Sequence, residues 1–78
     1  MAKELDSIDF LNIALIHLNK AISLTEENPN HIYFANRALV LMDLGHLEPV
    51  LEDCNVVIKM KPDFIKIYWR KAKVNQLH

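Results

Sequence analysis

Apolar residues recur along this chain every three or four positions, with polar residues filling the gaps. Leu11, Leu15, Leu18 and Ile22 are spaced by four, three and four residues, which draws one apolar stripe on a helix. The stripe predicts a first helix from Ser7, a residue suited to the N-cap, to about Thr25, before "EENPN". A second helix is expected from about His31 to Leu44, and Gly45, the only glycine, supplies the left-handed backbone that ends it. A third runs from about Leu47 to Met60, with Pro49 in its first turn, where a missing N–H costs little. "KPD" breaks the pattern, and a fourth helix is expected from about Phe64 to Gln76 with Asp63 as its cap. Nothing alternates with a period of two for long, and no Asn-Gly or Asp-Gly hairpin appears, so strands are not expected. Four helices joined by short turns make an all-α, antiparallel helical array.

The helices also repeat. "YFANRALV" (Tyr33 to Val40) stands 34 residues before "IYWRKAKV" (Ile67 to Val74), matching Phe34 with Tyr68, Arg37 with Lys71, Ala38 with Ala72 and Val40 with Val74. "ALIHLNKAISL" (Ala14 to Leu24) matches "VLEDCNVVIKM" (Val50 to Met60) at an offset of 36, with Leu15/Leu51, Asn19/Asn55 and Ile22/Ile58 in register. The two extra residues lie in "TEENPN". Phe34, Arg37, Ala38, Leu41, Val50, Cys54 and Pro62 stand at the spacing of one repeat unit. In that unit Gly45 turns one helix into the next and Pro62 closes the pair.

Two alternating helix types at this period resemble the tetratricopeptide repeat (TPR). The resemblance covers roughly residues 10–77. It implies a right-handed α-solenoid fragment: the second helix of one repeat at about 10–25, a full repeat at 31–62, and the first helix of a following repeat, or a capping helix, at 63–77. It also implies a single partial domain over 1–78, truncated at its N-terminus, because only "MAKELDSID" remains to build the helix before residue 10.

Arrays of this type line a concave groove with the first helix of each pair. The residues expected there are Ala35, Asn36, Leu39 and Met42 on the second helix and Lys66, Trp69, Arg70 and Lys73 on the fourth. Lys66, Arg70 and Lys73, at spacings of four and three, form one basic stripe. Lysine offers a mobile cation, arginine a bidentate fork for carboxylate, asparagine both a donor and an acceptor, and Trp69 an apolar wall. "NRA" with "DFIKIYWRKA" resembles the dicarboxylate-clamp TPR domains of co-chaperones, which hold the acidic C-terminal tails of the seventy- and ninety-kilodalton heat-shock chaperones. On that resemblance Asn36, Lys66 and Arg70 are clamp residues for a peptide of the Glu-Glu-Val-Asp type. A further clamp lysine position falls before Met1, and Lys3 stands where the family has another asparagine. The alternative is a structural or self-associating TPR fragment with no peptide ligand. In either case the first helix, lacking its own partner, should expose some of Phe10, Leu11, Ile13, Ala14 and Ile16. A homodimer through that helix is the expected remedy, with a fold-back of "MAKELDS" as the competing one.

Composition narrows the field further. The chain has 78 residues, 51% of them hydrophobic, and a formal net charge of −1, so no global field draws it to nucleic acid or membrane. No apolar run approaches the roughly 20 residues that span a bilayer, and no signal peptide opens the chain. The one cysteine, Cys54, lies on the third helix's apolar stripe and is expected to be a buried, inert thiol in a reducing, cytoplasmic setting. The histidines His17, His31, His46 and His78 lack metal-ligand spacing, and no phosphate loop or nucleophilic grouping exists. The sequence therefore predicts no cofactor, no metal and no enzyme. Glu48, Glu52 and Asp53 read as a solvated acidic patch.

Overall fold

The structure, a computed structural model, describes residues 7–77. Lys3 and Leu5, like the rest of "MAKELD", lie outside the described residues, and so does His78. Four helices follow one another: α1 Ser7–Leu24, α2 His31–Asp43, α3 Leu47–Met60 and α4 Ile65–Leu77. No strand occurs among the described residues.

α2 is the centre of the array and touches all three other helices, while α3 touches α2 and α4. α1 packs only on α2 among the described elements. The molecule is a slab of 48 × 33 × 17 Å, less than two helix diameters thick. Its core is formed by Ala35, Ala38 and Leu41 from α2, Val50, Cys54 and Val57 from α3, and Ile67 and Val74 from α4. Ala38 is fully buried, and its small side chain lets α2 and its neighbours approach closely. α1 contributes no fully buried residue. Its stripe of Leu11, Leu15, Leu18 and Ile22 is half-buried because α2 covers one side alone.

The punctuation acts as its chemistry requires. Asn30 caps α2, its side-chain oxygen accepting from the Ile32 N–H at 2.9 Å. At the other end Gly45 has φ +82°, the His46 N–H donates to the Leu41 carbonyl at 2.9 Å, and the Gly45 N–H donates to that of Met42 at 3.0 Å. These two bonds make a Schellman cap. A Cβ at Gly45 would meet nothing within 4 Å, so only backbone strain opposes a side chain there. Gly45→Ala should therefore cost about 1 kcal/mol, and Gly45→Asn less, in urea unfolding.

One expected cap is corrected. α4 begins at Ile65, and the Ile67 N–H donates to the Phe64 carbonyl at 3.2 Å, so Asp63 sits in the preceding turn beside Lys61, 3.9 Å away. The α3–α4 turn is instead tied down by the Tyr68 hydroxyl, which donates to the Pro62 carbonyl at 2.8 Å. The edge of His31 against Phe64, at 5.4 Å between ring centroids, adds a contact with the start of α2.

Candidate functional site: the α2–α4 face

Arg70 is the residue that joins the two groove helices. Half-buried, it donates from Nη1 to the Ala35 carbonyl on α2 at 3.0 Å. That bond sets the guanidinium one residue from Asn36, which is exposed on α2. Lys66 and Lys73 are exposed on either side of Arg70 along α4. Leu39, 41% exposed, and half-buried Met42 lie further along α2. None of Lys66, Arg70 and Lys73 forms an ion pair among the described residues. Three cations on one helix face without a carboxylate can receive one.

One expected groove residue, Ala35, stands elsewhere, while Trp69 stays at the surface. Ala35 is only 2% exposed, so its side chain belongs to the core and it serves the site through its carbonyl. Ala35 packs with Ala38 and Leu41 in the core, and Asn36, about 100° further round the helix, reaches the surface. Trp69 is not packed between helices. It is 76% exposed and lines a shallow recess with Tyr68 and Ala72, at the edge of the basic stripe.

The strongest polar feature was missed by the sequence reading. Asp53, expected in a solvated acidic patch with Glu48 and Glu52, is only 3% exposed. Arg37 grips it with a two-pronged fork, Nε to Oδ2 at 2.8 Å and Nη2 to Oδ1 at 2.7 Å, and reaches Asn19 on α1 with Nη1 at 3.0 Å. The ring of Phe34 lies 5.4 Å below the guanidinium. The hydrogen bond to Asp53 holds the Arg37 guanidinium's pKa above its ordinary value despite partial burial. One residue set thus ties α1, α2 and α3 together. Its signal was present in the repeat alignment, which pairs Asn19 with Asn55 and Arg37 with Lys71. The structure repeats the bond, with Lys71 Nζ donating to Asn55 Oδ1 at 3.0 Å.

Cys54, next to Asp53, is fully buried, as expected. Burial raises its thiol pKa above the ordinary value of 9.0, and the nearby cations Arg70 and Lys71 oppose the rise in part. The unfolded chain therefore ionises first as pH climbs. The stability that the neutral thiol supports is complete below about pH 9 and is lost above it. Urea midpoints measured from about pH 7 to about pH 10 should fall more steeply for the native chain than for Cys54→Ala.

Four helices alternating between groove-lining and outer positions, with a repeated Asn-to-cation bond at each junction, define a helical-repeat interaction module. Known proteins agree. The chain is 39% identical over 64 residues to a tetratricopeptide repeat protein 4 homolog of Dictyostelium discoideum, a match covering 80% of this chain and 16% of that protein. It is 46% identical over 57 residues to a small glutamine-rich tetratricopeptide repeat-containing protein of the same organism, covering 73% of this chain and 16% of the relative. A U-box domain-containing protein 70 from Oryza sativa subsp. japonica is 39% identical over 64 residues, covering 82% of this chain and 8% of the relative. No family model and no solved structure matches. The chain belongs to the tetratricopeptide repeat family, whose arrays are protein–protein interaction modules, and it spans less than a fifth of each of these relatives. No described helix is long and apolar enough to cross a membrane.

Proposed function

We propose that the α2–α4 face binds the acidic C-terminal tail of a heat-shock chaperone, of the Glu-Glu-Val-Asp type, through a partial carboxylate clamp. The observation that carries this reading is the stripe of exposed Lys66 and Lys73 flanking half-buried Arg70, which has no acidic partner among the described residues, beside Asn36. The chain's other arginine, Arg37, is committed to Asp53. Arg70, steadied by the Ala35 carbonyl, receives the terminal carboxylate, and Lys66 and Lys73 take the flanking acidic groups. Asn36 orients the peptide backbone, while Leu39 and Trp69 meet its apolar side chains. The chain then acts as a co-chaperone-like, non-enzymatic adaptor in the cytoplasm, where the single thiol stays reduced.

A free-acid peptide ending in Glu-Glu-Val-Asp should shift Trp69 fluorescence with a dissociation constant in the tens of micromolar, about −6 kcal/mol. Added salt should weaken it, since the flanking lysines Lys66 and Lys73 are exposed charges. Arg70→Ala should lower affinity at least tenfold. Equal binding by Arg70→Ala, or by the amidated peptide, would overturn the clamp.

A second reading, self-association through α1 as a homodimer, rests on a separate observation. Phe10, Ile13 and Ile16 are all exposed on that helix.

A further inference from the structure

With histidine neutral, α2 carries charge at Arg37, which is spent on Asp53, and at Asp43, which ends the helix. Asp43 is exposed and forms no hydrogen bond or ion pair among the described residues. It gains nothing from its own helix either. A carboxylate in the last turn stands beside the helix's free carbonyl ends, where the macrodipole favours a cation and opposes an acid. A local rule broken with no structural return points to a functional position.

Helical spacing says where Asp43 stands. It lies seven residues beyond Asn36, two turns less about 20°, so the two share a face, with Leu39 between them. The same step along α4 leads from Arg70 past Lys73 to Leu77, which is 57% exposed. The 34-residue repeat pairs the two helices at these levels, and the Arg70 bond to the Ala35 carbonyl joins them there. The α2–α4 face is therefore graded along its length. Lys66, Arg70 and Lys73 make three successive levels cationic, and the next level holds an acid, Asp43, with an apolar residue, Leu77.

We infer that Asp43 sets the ligand specificity of this face, which takes an acidic peptide terminus preceded by a lysine or arginine. The inference rests on the proposed acidic-tail reading and narrows it. A long basic side chain suits the last level, because its methylene stem covers Leu77 while its charged head meets Asp43. A glutamate there meets Asp43 as a like charge. Seven residues of helix span about 10 Å, roughly the length of three extended residues. With the terminal carboxylate on Arg70, the third or fourth residue before the terminus reaches Asp43.

Ten-residue free-acid peptides ending in Glu-Val-Asp test this, titrated at low salt against the native chain and Asp43→Asn. One peptide carries lysine at the third and fourth places before the terminal aspartate, and its counterpart carries glutamate at both. A control pair varies the eighth and ninth places in the same way. Asparagine is tolerated at a helix end, so the variant should fold as the native chain does. The native chain should bind the lysine peptide about fivefold more tightly than the glutamate peptide, and the control pair should differ little. In Asp43→Asn the order should reverse, because only the cations then remain. Glutamate ahead in the native chain, or the same order in both chains, would overturn the role of Asp43 and leave the acidic-tail reading standing. No binding of any of these peptides by either chain would overturn that reading and this inference together.

Discussion

Arg37→Ala should destabilise the protein by about 3 kcal/mol, lowering the melting temperature by about 12 °C or more. The loss is large because the arginine answers a carboxylate that is almost wholly out of water. Removing it leaves Asp53 charged and without its fork in the core, next to fully buried Cys54 and Val50. The value lies at the low end for a buried pair because Arg37 keeps a quarter of its side chain in solvent. Roughly 4–12 kcal/mol is the whole stability expected of a domain this size, so the variant should be partly unfolded at physiological temperature. Replacing both partners, Arg37→Met with Asp53→Leu, should recover most of the loss, because no buried charge is then stranded. A shift of under about 3 °C for Arg37→Ala would mean that water already reaches Asp53.

Ile67→Ala should cost a similar amount, about 3 kcal/mol, and should also weaken peptide binding. Ile67 is the largest fully buried side chain and the point where α4 enters the core. Lys66 precedes it and Arg70 lies three residues on, so a loosened α4 carries both away from Asn36. The stability loss is read by urea denaturation, and the binding loss by titration where the variant is still folded. Loss of stability with unchanged affinity would show that the basic stripe acts without its docking on α2.

The helices were legible because their signals are local. Apolar spacing, Asn and Gly at helix ends, and Pro at a turn each act within a few residues. The α3 boundaries agree with the sequence reading, and those of the other helices differ from it by one residue. The fold class followed from the repeat, whose offsets pair α2 with α4 and α1 with α3. Asp53 was illegible for the opposite reason. Beside Glu52 on an exposed turn it reads as solvated, and its partner Arg37 comes from the other arm of the hairpin, 16 residues away. Within the site, the stripe of Lys66, Arg70 and Lys73 could be read from spacing alone. The inward turn of Ala35 could not, because it depends on where α3 sits.

The claim that most needs a direct measurement is that the α2–α4 face reads an acidic peptide terminus. Amide chemical shifts of the labelled chain, followed through titration with a free-acid Glu-Glu-Val-Asp peptide, give that measurement. Changes concentrated at Asn36, Leu39, Lys66, Arg70 and Lys73, and absent with the amidated peptide, are the predicted result. Changes centred on α1, or none at millimolar peptide, would contradict it.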